Sequence, residues 1–246
     1  MTINLKLKLN NLLSNQIGTN NREIREDWLK KTLLSLPKNQ KILDAGAGEG
    51  QYKKFCAHLK YYSQDIAIYD GLGDNSGIQK GKRNYNSLDI ISDIVNIPVE
   101  DESFDSIMCI EVLEHIVDPN KALSELTRIL KKGGKLILTA PFASLTHYAP
   151  YHYSTGFNKY YYEFHLSKLG YKVLEITPNG NYFQYLAQEV RYSKVAAEQY
   201  SSFKSSFLDR AAKLLFLRYL YKINKVQEKS DELLNFGYMI VAEKNS

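Results

Sequence analysis

The residues with the clearest chemical meaning form a glycine-rich turn, which reads DAGAGEG over residues 44–50. Glycines let the backbone turn sharply after a strand and leave room for a ligand against the main chain. A dinucleotide-binding turn has the spacing G-x-G-x-x-G, but Gln51 occupies the position of the last glycine. The carboxylate of Asp44 would attract a cationic ligand group and repel a pyrophosphate. The turn therefore predicts a ligand other than a dinucleotide, with a turn that binds nothing as the alternative.

A second acid follows at the end of the next predicted strand. Asp65 lies 21 positions after Asp44, where a carboxylate can accept hydrogen bonds from both hydroxyls of a ribose. A lone aspartate after a strand is more often a cap or turn residue. Together with the glycine turn, Asp65 predicts ribose binding, and Asp70 is a weaker candidate for the same role.

Three histidines are candidates for a general base or for orienting a substrate. His115 follows the predicted fourth strand in the sequence EVLEH, whereas His147 and His152 flank Pro150 in the sequence THYAPYHY. Histidine is the side chain whose ordinary pKa allows it to exchange protons near neutral pH. For His115, a purely structural histidine is the alternative.

Six tyrosines lie within residues 148–164. Aromatic faces with hydroxyl tips suit a planar or sugar-like substrate of mixed polarity. We expect Tyr148, Tyr151 and Tyr153 to form a pocket wall, and the later tyrosines to pack a helix against the sheet. Asn181, which follows the sixth predicted strand, is a further candidate for substrate contact.

The sequence predicts no functional metal. His147 and His152 are five positions apart on a proline-containing loop, with no cysteine or carboxylate at ligand spacing between them. Glu111, Glu114 and His115 resemble part of a metal cluster, but no matching ligand set is visible elsewhere in the sequence.

The elements that must position these residues alternate between strands and helices. We expect a helix after the glycine turn, carrying Phe55 and Leu59, whose N-terminus would offer unpaired N–H groups to a ligand. Another helix precedes the pair Gly133-Gly134, which would close it. This alternation favours a parallel sheet with helices on both faces. The first predicted strand begins at Lys41. The others span residues 61–64, 89–91, 106–110, 135–139, 171–177 and 238–243, and a further helix spans residues 159–169.

The segment 179–235 interrupts the alternation, because its pattern is almost entirely helical. This helical insertion could be a lid, a homodimer face or an interfacial membrane helix, and the spread of leucines around residues 214–220 favours burial against protein. We expect a single domain over residues 1–246. Its parts are a helical N-terminal cap (1–40), a cofactor-binding core (41–178), the insertion (179–235) and the last strand (236–246).

Composition excludes several classes of protein. The chain has 246 residues, of which 44% are apolar and 24% charged, so it is neither disordered nor fibrous. Two cysteines cannot build a disulfide framework, which favours a reduced, cytoplasmic setting. No apolar run is long enough to cross a membrane, and we expect no secretory signal. The net charge of +5 is explained by lysines scattered over solvated faces.

The motifs together resemble those of the class I S-adenosylmethionine-dependent methyltransferases. ILDAGAGEG is similar to the first motif of that family, SDIVNIPVEDESFDSIMCIEVLEHIVDP resembles its third and fourth strands, and RILKKGGKLILTAPF resembles its run into the fifth strand. The resemblance covers Lys41 to Phe142 and continues weakly to Glu243. It implies a Rossmann-like three-layer sandwich, with a seven-stranded, mostly parallel sheet whose last strand is reversed.

The resemblance also implies a binding role for each matching residue. Asp44 and the glycine backbone would hold the methionine part of S-adenosylmethionine, and Asp65 would hold its ribose. Asp93 would bind the adenine amine beside Ile94, and Glu111 would lie beside the methyl donor. The cofactor-binding residues so implied are Asp44, Gly46, Gly48, Gly50, Asp65, Asp93, Ile94 and Glu111.

The resemblance predicts methyl transfer to an oxygen or nitrogen of a small molecule or a glycan-type metabolite. The alternatives are an RNA or protein methyltransferase and a non-catalytic S-adenosylmethionine-binding scaffold. Nucleic acid is disfavoured, because EVLEH replaces the Asn/Asp-Pro-Pro-aromatic motif of enzymes that methylate base amines. Cys109 follows Met108 rather than the proline usual before a cytosine-methylating cysteine, which favours a core role. Fold similarity alone does not name the substrate.

Overall fold

The computed structural model describes residues 16–79 and 81–245, so the first 15 residues of the predicted N-terminal cap lie outside the described residues. The chain divides into two compact units. The smaller unit is formed by Met1–Glu26 with Pro178–Phe236, and the larger unit by Asp27–Thr177 with Gly237–Ser246.

The larger unit contains a seven-stranded sheet with the strand order β3-β2-β1-β4-β5-β7-β6. Strand β1 pairs in parallel with β2 and β4, and β5 pairs antiparallel with β7. The predicted mostly parallel sheet with a reversed last strand is therefore confirmed. The strands are β1 (Lys41–Ala45), β2 (Lys60–Asp65), β3 (Ile90–Ile91), β4 (Phe104–Ile110), β5 (Leu130–Pro141), β6 (Tyr171–Asn179) and β7 (Gly237–Lys244).

Alternating side chains of the central strands build a separate core on each face of the sheet. On β4, Ile107 and Cys109 belong to one core, and Met108 and Ile110 to the other. This period-two alternation is what a sheet covered on both faces requires. Cys109 is fully buried, as the predicted core role demands.

The helices of the described residues cover these faces. Leu29 and Leu33 of the first helix pack on the core that contains Met108, and Leu123 and Leu126 of the second pack on the other core. The result is the three-layer arrangement predicted from the sequence. The helices are α1 (Asn21–Leu34), α2 (Pro119–Ile129), α3 (Lys159–Lys168), α4 (Tyr182–Tyr200) and α5 (Phe207–Asn224), with 3₁₀ turns at Lys53–Phe55, Leu113–His115 and Ser230–Glu232.

The helix predicted after the glycine turn is wrong, because only the 3₁₀ turn Lys53–Phe55 forms there. Gly50 has a φ of 71°, which excludes a right-handed helix before Gln51. Between Gly50 and the start of β2 at Lys60 the chain forms turns around this 3₁₀ segment instead of an α-helix. The expected helix N-terminus is consequently absent from this part of the described chain, and its N–H groups cannot serve a ligand.

The glycine pair after α2 also differs from its predicted role. Helix α2 ends at Ile129, and β5 begins at once with Leu130 in an extended conformation. Phe104 pairs with Leu130, but Ser106 already pairs with Lys135, so residues 131–134 bulge out of the ladder. Gly133, with a φ of 71°, and its neighbour Gly134 allow this bulge.

The smaller unit contains the two helices of the predicted insertion. Their buried centre is formed by Ala187 of α4 with Leu217 and Leu220 of α5. A capping box between Ser206 and Asp209 begins α5. Other apolar side chains of α5 are exposed, namely Leu208, Leu215, Phe216 and Tyr219. Only some of the leucines of α5 are therefore buried.

Within the part of the chain that the structure describes, none of the helices has the length and apolar character needed to cross a membrane.

Candidate active site

A cavity of about 510 Å³ lies in the larger unit at the carboxyl ends of the parallel strands. Gly46 follows β1, Asp65 ends β2, Asp93 follows β3 and Glu111 follows β4, and all four line the cavity. Open parallel sheets bind ligands at this edge, where the strand order reverses between β1 and β4. The volume is in the range of roughly 300–1,000 Å³ that small-molecule sites occupy.

The glycine turn forms one wall of the cavity. Gly46 and Gly48 line it and have φ values of 76° and 54°, which favour glycine. A Cβ atom on Gly46 would lie 2.5 Å from the Val112 side chain, whereas one on Gly48 would have its nearest neighbour, Arg83, 3.9 Å away. The space beside Gly48 is therefore open to a ligand. Gly50 does not line the cavity.

Asp65 is fixed in the cavity wall by two backbone hydrogen bonds. Its Oδ2 atom accepts from the N–H of Gly48 and its Oδ1 atom accepts from the N–H of Ala67, both at 2.8 Å. Each carboxylate oxygen can accept more than one hydrogen bond. The carboxylate is thus oriented while it keeps acceptor capacity for the two hydroxyls of a ribose.

The next part of the wall combines one acid with apolar side chains. The Oδ1 atom of Asp93 accepts from the N–H of Val95 at 3.1 Å, and Ile94 is 3% exposed. Ile66 and Ile68, which the sequence motifs did not indicate, also line the cavity and are partly open to solvent. An apolar wall beside a single acceptor suits a planar base that carries an amino group.

Asp44 does not line the cavity. Its side chain is 1% exposed and accepts a hydrogen bond from the Tyr61 hydroxyl at 2.7 Å. Burial raises the pKa of Asp44 from its ordinary 3.8 to about 7; the bond from Tyr61 opposes this rise and the charge of Asp65 adds to it. The predicted contact with the methionine part of a ligand is not visible in this geometry.

We expect the substitution Asp44→Asn to flatten the pH dependence of stability. Between pH 4 and pH 7 the folded protein keeps a proton on Asp44 that the unfolded chain has lost, so this group lowers the free energy of unfolding as the pH rises. This decrease in the free energy of unfolding is complete above pH 7 and is on the order of 4 kcal/mol. Urea denaturation at several pH values gives the free energy of unfolding of both proteins. The value for the wild type minus that for the variant should fall from pH 4 to pH 7. If the free energies of the two proteins change in parallel with pH, the assignment is contradicted.

Glu111 follows β4 in a conformation that non-glycine residues rarely adopt, with a φ of 56°. Two bonds to Thr139 of the neighbouring strand hold it there: the Glu111 N–H donates to the Thr139 carbonyl at 2.8 Å, and its Oε1 accepts from the Thr139 hydroxyl at 2.9 Å. Strained backbone of this kind is concentrated at functional sites. The strain turns Glu111 into the cavity wall.

One tyrosine of the predicted pocket wall, Tyr148, lies at the centre of a stack of three rings, called the tyrosine stack below. Tyr148 lies between Tyr69, at a centroid distance of 4.8 Å, and His115, at 5.0 Å, and all three rings line the cavity. Arg83 donates to the Tyr148 hydroxyl at 2.9 Å and pairs with Glu49 at 3.1 Å. Burial raises the pKa of Tyr148, and the nearby Arg83 opposes this rise.

Two loops that are distant in sequence hold this stack together. The N–H of Ile78 donates to the Thr146 carbonyl at 2.9 Å, and the N–H of Tyr148 donates back to the Ile78 carbonyl at 3.0 Å. Gly73 packs so closely that an added Cβ atom would lie 1.9 Å from the Ala149 oxygen. The long loop after Asp70 therefore packs against the loop that carries Thr146, Tyr148 and Ala149. The periodicity of the sequence did not predict this contact.

The structure brings the three candidate histidines together. The ring of His147 lies 4.7 Å from the rings of both His115 and His152. His115 lines the cavity, whereas His147 and His152 lie outside its wall. The Nε2 atom of His152 lies 3.1 Å from the Ser144 hydroxyl, and burial followed by the charge of His147 lowers the pKa of His152.

Of the other predicted substrate contacts, Tyr151 and Tyr153 line the cavity. Asn181 does not; it caps α4, where its side chain accepts from the N–H groups of Phe183 and Gln184, and it donates to Asn224 at 2.8 Å. An asparagine directly before a helical pattern is a typical N-cap, and that signal is present in the sequence.

The comparisons with known proteins agree with this geometry. Residues 43–138 match the model of a family described as a methyltransferase domain. The chain is 30% identical over 155 residues to a demethylmenaquinone methyltransferase of Paenarthrobacter aurescens, covering 62% of this chain and 55% of that protein. It is 27% identical over 192 residues to the ubiquinone/menaquinone biosynthesis C-methyltransferase UbiE of Bartonella quintana, covering 75% of this chain and 68% of that protein.

The fold is similar to that of solved methyltransferases. A crystal structure of a SAM dependent methyltransferase from Archaeoglobus fulgidus superposes with a TM-score of 0.54 at 17% identity, covering 91% of this chain and 94% of that one. Over residues 43–138 this chain is similar to a methyltransferase domain, and its fold is similar to that of a solved methyltransferase. A solved phosphoethanolamine N-methyltransferase 2 of Haemonchus contortus, which superposes with a TM-score of 0.50 at 17% identity over 90% of this chain and 52% of that one, is in complex with S-adenosylmethionine.

The cavity of the larger unit fits that molecule. The open side of Gly48 leaves room for a ligand against the backbone, Asp65 offers oriented acceptors for a ribose, and Asp93 with Ile94 suits an adenine. The chain spans 55%, 39% and 59% of the lengths of the first three curated relatives that it matches. The acceptor of the methyl group is not determined by this match.

Proposed function

We propose that this chain transfers the methyl group of S-adenosylmethionine to an oxygen or nitrogen of a small-molecule or glycan-type metabolite. One observation carries the proposal. Asp65 and Glu111, on the side assigned to the donor, line the same cavity as His115 and the tyrosine stack. A donor and an acceptor could therefore meet in one cavity.

The chemistry asks little of the protein besides alignment. Methyl transfer from a sulfonium is an in-line displacement, so the site must orient the two reactants and exclude water. A general base is needed only when the nucleophile carries a proton at neutral pH. We assign the donor to Gly46, Gly48, Asp65, Asp93, Ile94 and Glu111, with Asp44 and Gly50 supporting the turn from behind.

His115 is the residue we propose for the base or the substrate-orienting role. Its Nδ1 atom lies 2.6 Å from the Tyr151 carbonyl, and because a carbonyl only accepts, Nδ1 carries the proton. The Nε2 atom of the neutral ring then holds a lone pair. Tyr148, Tyr151 and Tyr153 would shape the acceptor pocket, and His147 and His152 would support His115 from outside the cavity wall.

A second candidate acceptor is the carbon of a quinone-type ring. It is favoured by the names of the relatives, a demethylmenaquinone methyltransferase and a ubiquinone/menaquinone C-methyltransferase. An RNA or protein acceptor would require a different partner surface, and a non-catalytic scaffold would bind the donor without transferring its methyl group.

Calorimetric titration followed by a methyl-transfer assay tests the proposal. We expect S-adenosylmethionine to bind and NADH, the control ligand, not to bind. Transfer of an isotopically labelled methyl group is then measured with sugars, small phenols, quinols and RNA as separate acceptor classes. Donor binding without transfer to any class would favour the scaffold role, and binding of neither ligand would overturn the cofactor assignment.

We further propose that residues 1–246 act as one methyltransferase domain in the cytoplasm, and that the helical insertion 179–235 forms a homodimer face. Size-exclusion chromatography with light scattering tests the dimer. A monomer over the working concentration range would contradict it.

A further inference from the structure

A buried carboxylate faces two of the histidines. Glu114 is 1% exposed, and its Oε1 atom lies 3.8 Å from Nε2 of His115 and 4.0 Å from Nε2 of His147. One ligand-type atom from each of the three residues lies within 4.8 Å of the other two. Glu114 and His115 follow β4, and His147 follows β5, so adjacent parallel strands bring the group together.

The two imidazoles are oriented in the same way. The Nδ1 atom of His115 lies 2.6 Å from the Tyr151 carbonyl, and that of His147 lies 2.8 Å from the Leu145 carbonyl. Both rings therefore donate from Nδ1, and the Nε2 atom of each lies within 4.0 Å of Oε1 of Glu114. A hydrogen bond from the far nitrogen to a carbonyl is the usual device that orients a metal-binding histidine.

We propose that Glu114, His115 and His147 bind a divalent transition-metal ion of the Zn²⁺ type, through one carboxylate oxygen and two Nε2 atoms. Two imidazoles and a carboxylate suit zinc, iron or cobalt, whereas magnesium and calcium prefer oxygen ligands alone. Ligands bound at about 2.0–2.2 Å in a tetrahedron lie roughly 3.3–3.6 Å apart. The separations of the two Nε2 atoms from Oε1 of Glu114, 3.8 and 4.0 Å, are a few tenths of an ångström longer, and all three ligand atoms lie within 4.8 Å of one another. Rotation of the side chains would have to shorten these separations when the ion binds.

A cationic ligand suits the buried carboxylate of Glu114, beside whatever hydrogen bonds that carboxylate already accepts. An ionised carboxylate removed from water is costly unless a positive charge or hydrogen-bond donors compensate it. A divalent ion between Glu114 and the two imidazoles would provide that charge. The sequence predicted no metal because the third ligand, His147, lies far from the EVLEH segment along the chain.

The position of the site connects it with the reaction, and this step rests on the proposed function. His115 and Glu111 both line the cavity, so the ion would lie at the cavity wall, near the predicted end of the methyl donor. An open coordination position there suits an acceptor with a hydroxyl group, whose proton passes to solvent water more readily when its oxygen is bound to such an ion. Nε2 of His115 would then hold the metal instead of acting as a base.

Cobalt titration of the intact chain tests the site. The protein is stripped with a chelator and titrated with Co²⁺, whose visible absorption reports coordination, and Zn²⁺ is then used to displace it. The test variants are Glu114→Gln and His147→Gln, and the matched control is His165→Gln. His165 lies on α3 with its ring 4.4 Å from Tyr161, outside the three-residue group.

We expect one equivalent of Co²⁺ to bind the wild type and the control equally, and to bind both test variants at least about tenfold more weakly. If Glu114→Gln fails to fold by circular dichroism, His147→Gln decides, because its side chain is 22% exposed in the wild type. Absence of Co²⁺ and Zn²⁺ binding, or equal binding by all four proteins, would overturn the site.

Titration of the same samples with S-adenosylmethionine separates the two proposals. Donor binding without metal binding would overturn the metal site alone. Metal binding without donor binding would overturn the proposed methyl transfer and leave the metal site standing.

Discussion

Replacing His115 by alanine is expected to lower kcat by about 100-fold to 10,000-fold while the dissociation constant of S-adenosylmethionine changes little. His115 lines the cavity beside Glu111, at the place where donor and acceptor would meet. The ribose-binding Asp65 is oriented by the N–H groups of Gly48 and Ala67, so donor binding should be largely independent of His115. Steady-state kinetics with the accepted substrate and calorimetry with the donor measure the two quantities separately.

The alanine variant also removes a ring from the tyrosine stack, since His115 stacks on Tyr148 at 5.0 Å. The variant His115→Gln preserves a donor toward the Tyr151 carbonyl, and His165→Gln repeats the chemical change on α3. A large loss in both His115 variants with an unchanged control would exclude a general effect of histidine replacement. Equal losses of turnover and donor affinity would mean that His115 is structural.

The pH dependence distinguishes the two functional roles of His115. If its Nε2 atom accepts a proton, kcat of the wild type should fall on the acid side with a limb that His115→Ala lacks, and added imidazole should restore part of the activity. If Nε2 binds a metal, the variant should lose bound Co²⁺ and imidazole should restore activity only when metal is supplied. A variant that retains full kcat would contradict both roles.

The parts of the site that the sequence predicted are those fixed by local spacing. The glycines at 46 and 48 and the acid at the end of β2 lie within one strand–turn–strand unit, so their meeting follows from chain geometry alone. Strands were predicted equally well, because the alternation of apolar residues such as Ile107, Met108 and Cys109 is set by burial on two faces.

The errors have a different origin. In place of the helix predicted after the turn, Gly50 adopts a positive φ and a 3₁₀ turn follows at Lys53–Phe55. Apolar residues at helical spacing do not reveal that backbone conformation. Gly133 was assigned to a helix end, yet it serves a bulge whose existence depends on the pairing of β4 with β5. Periodicity carries no information on such pairing.

The grouping of His147 with Glu114 depends on tertiary topology. These residues follow β4 and β5, which are neighbours in the sheet, so their loops emerge at the same edge. The docking of Ile78 on Thr146 and of Arg83 on Tyr148 depends on a long irregular loop. No residue pattern predicts where such a loop packs. For this reason the sequence did not indicate Tyr69 or Arg83 as site residues.

Replacing Asp65 by alanine is expected to weaken the binding of S-adenosylmethionine by about tenfold to 100-fold or more. A hydrogen bond to a charged group contributes roughly 1.5–3 kcal/mol, and each 1.4 kcal/mol is about a factor of ten in affinity. The loss should appear equally for S-adenosylhomocysteine, because the two ligands share the ribose. Calorimetric titration with both ligands measures it.

The substitution has a second effect that must be separated from the first. Asp65 also accepts hydrogen bonds from the N–H groups of Gly48 and Ala67. The substitution by alanine therefore loosens the glycine turn and also removes the ribose contact. The variant Asp65→Asn keeps one carbonyl oxygen for Gly48 and loses the charge. An intermediate affinity for asparagine assigns the remaining loss to the turn, whereas equal affinities for the two variants assign the effect to the charge.

Asp27→Ala is the matched control, since Asp27 is an exposed aspartate on α1 of the same unit. It should leave both ligand affinities and the urea midpoint unchanged. If Asp65→Ala retains wild-type affinity while remaining folded, the ribose is held elsewhere, and Asp93 and Glu111 become the carboxylates to test next. The ribose assignment therefore depends on this difference between two aspartates in one unit, of which only Asp65 lines the cavity.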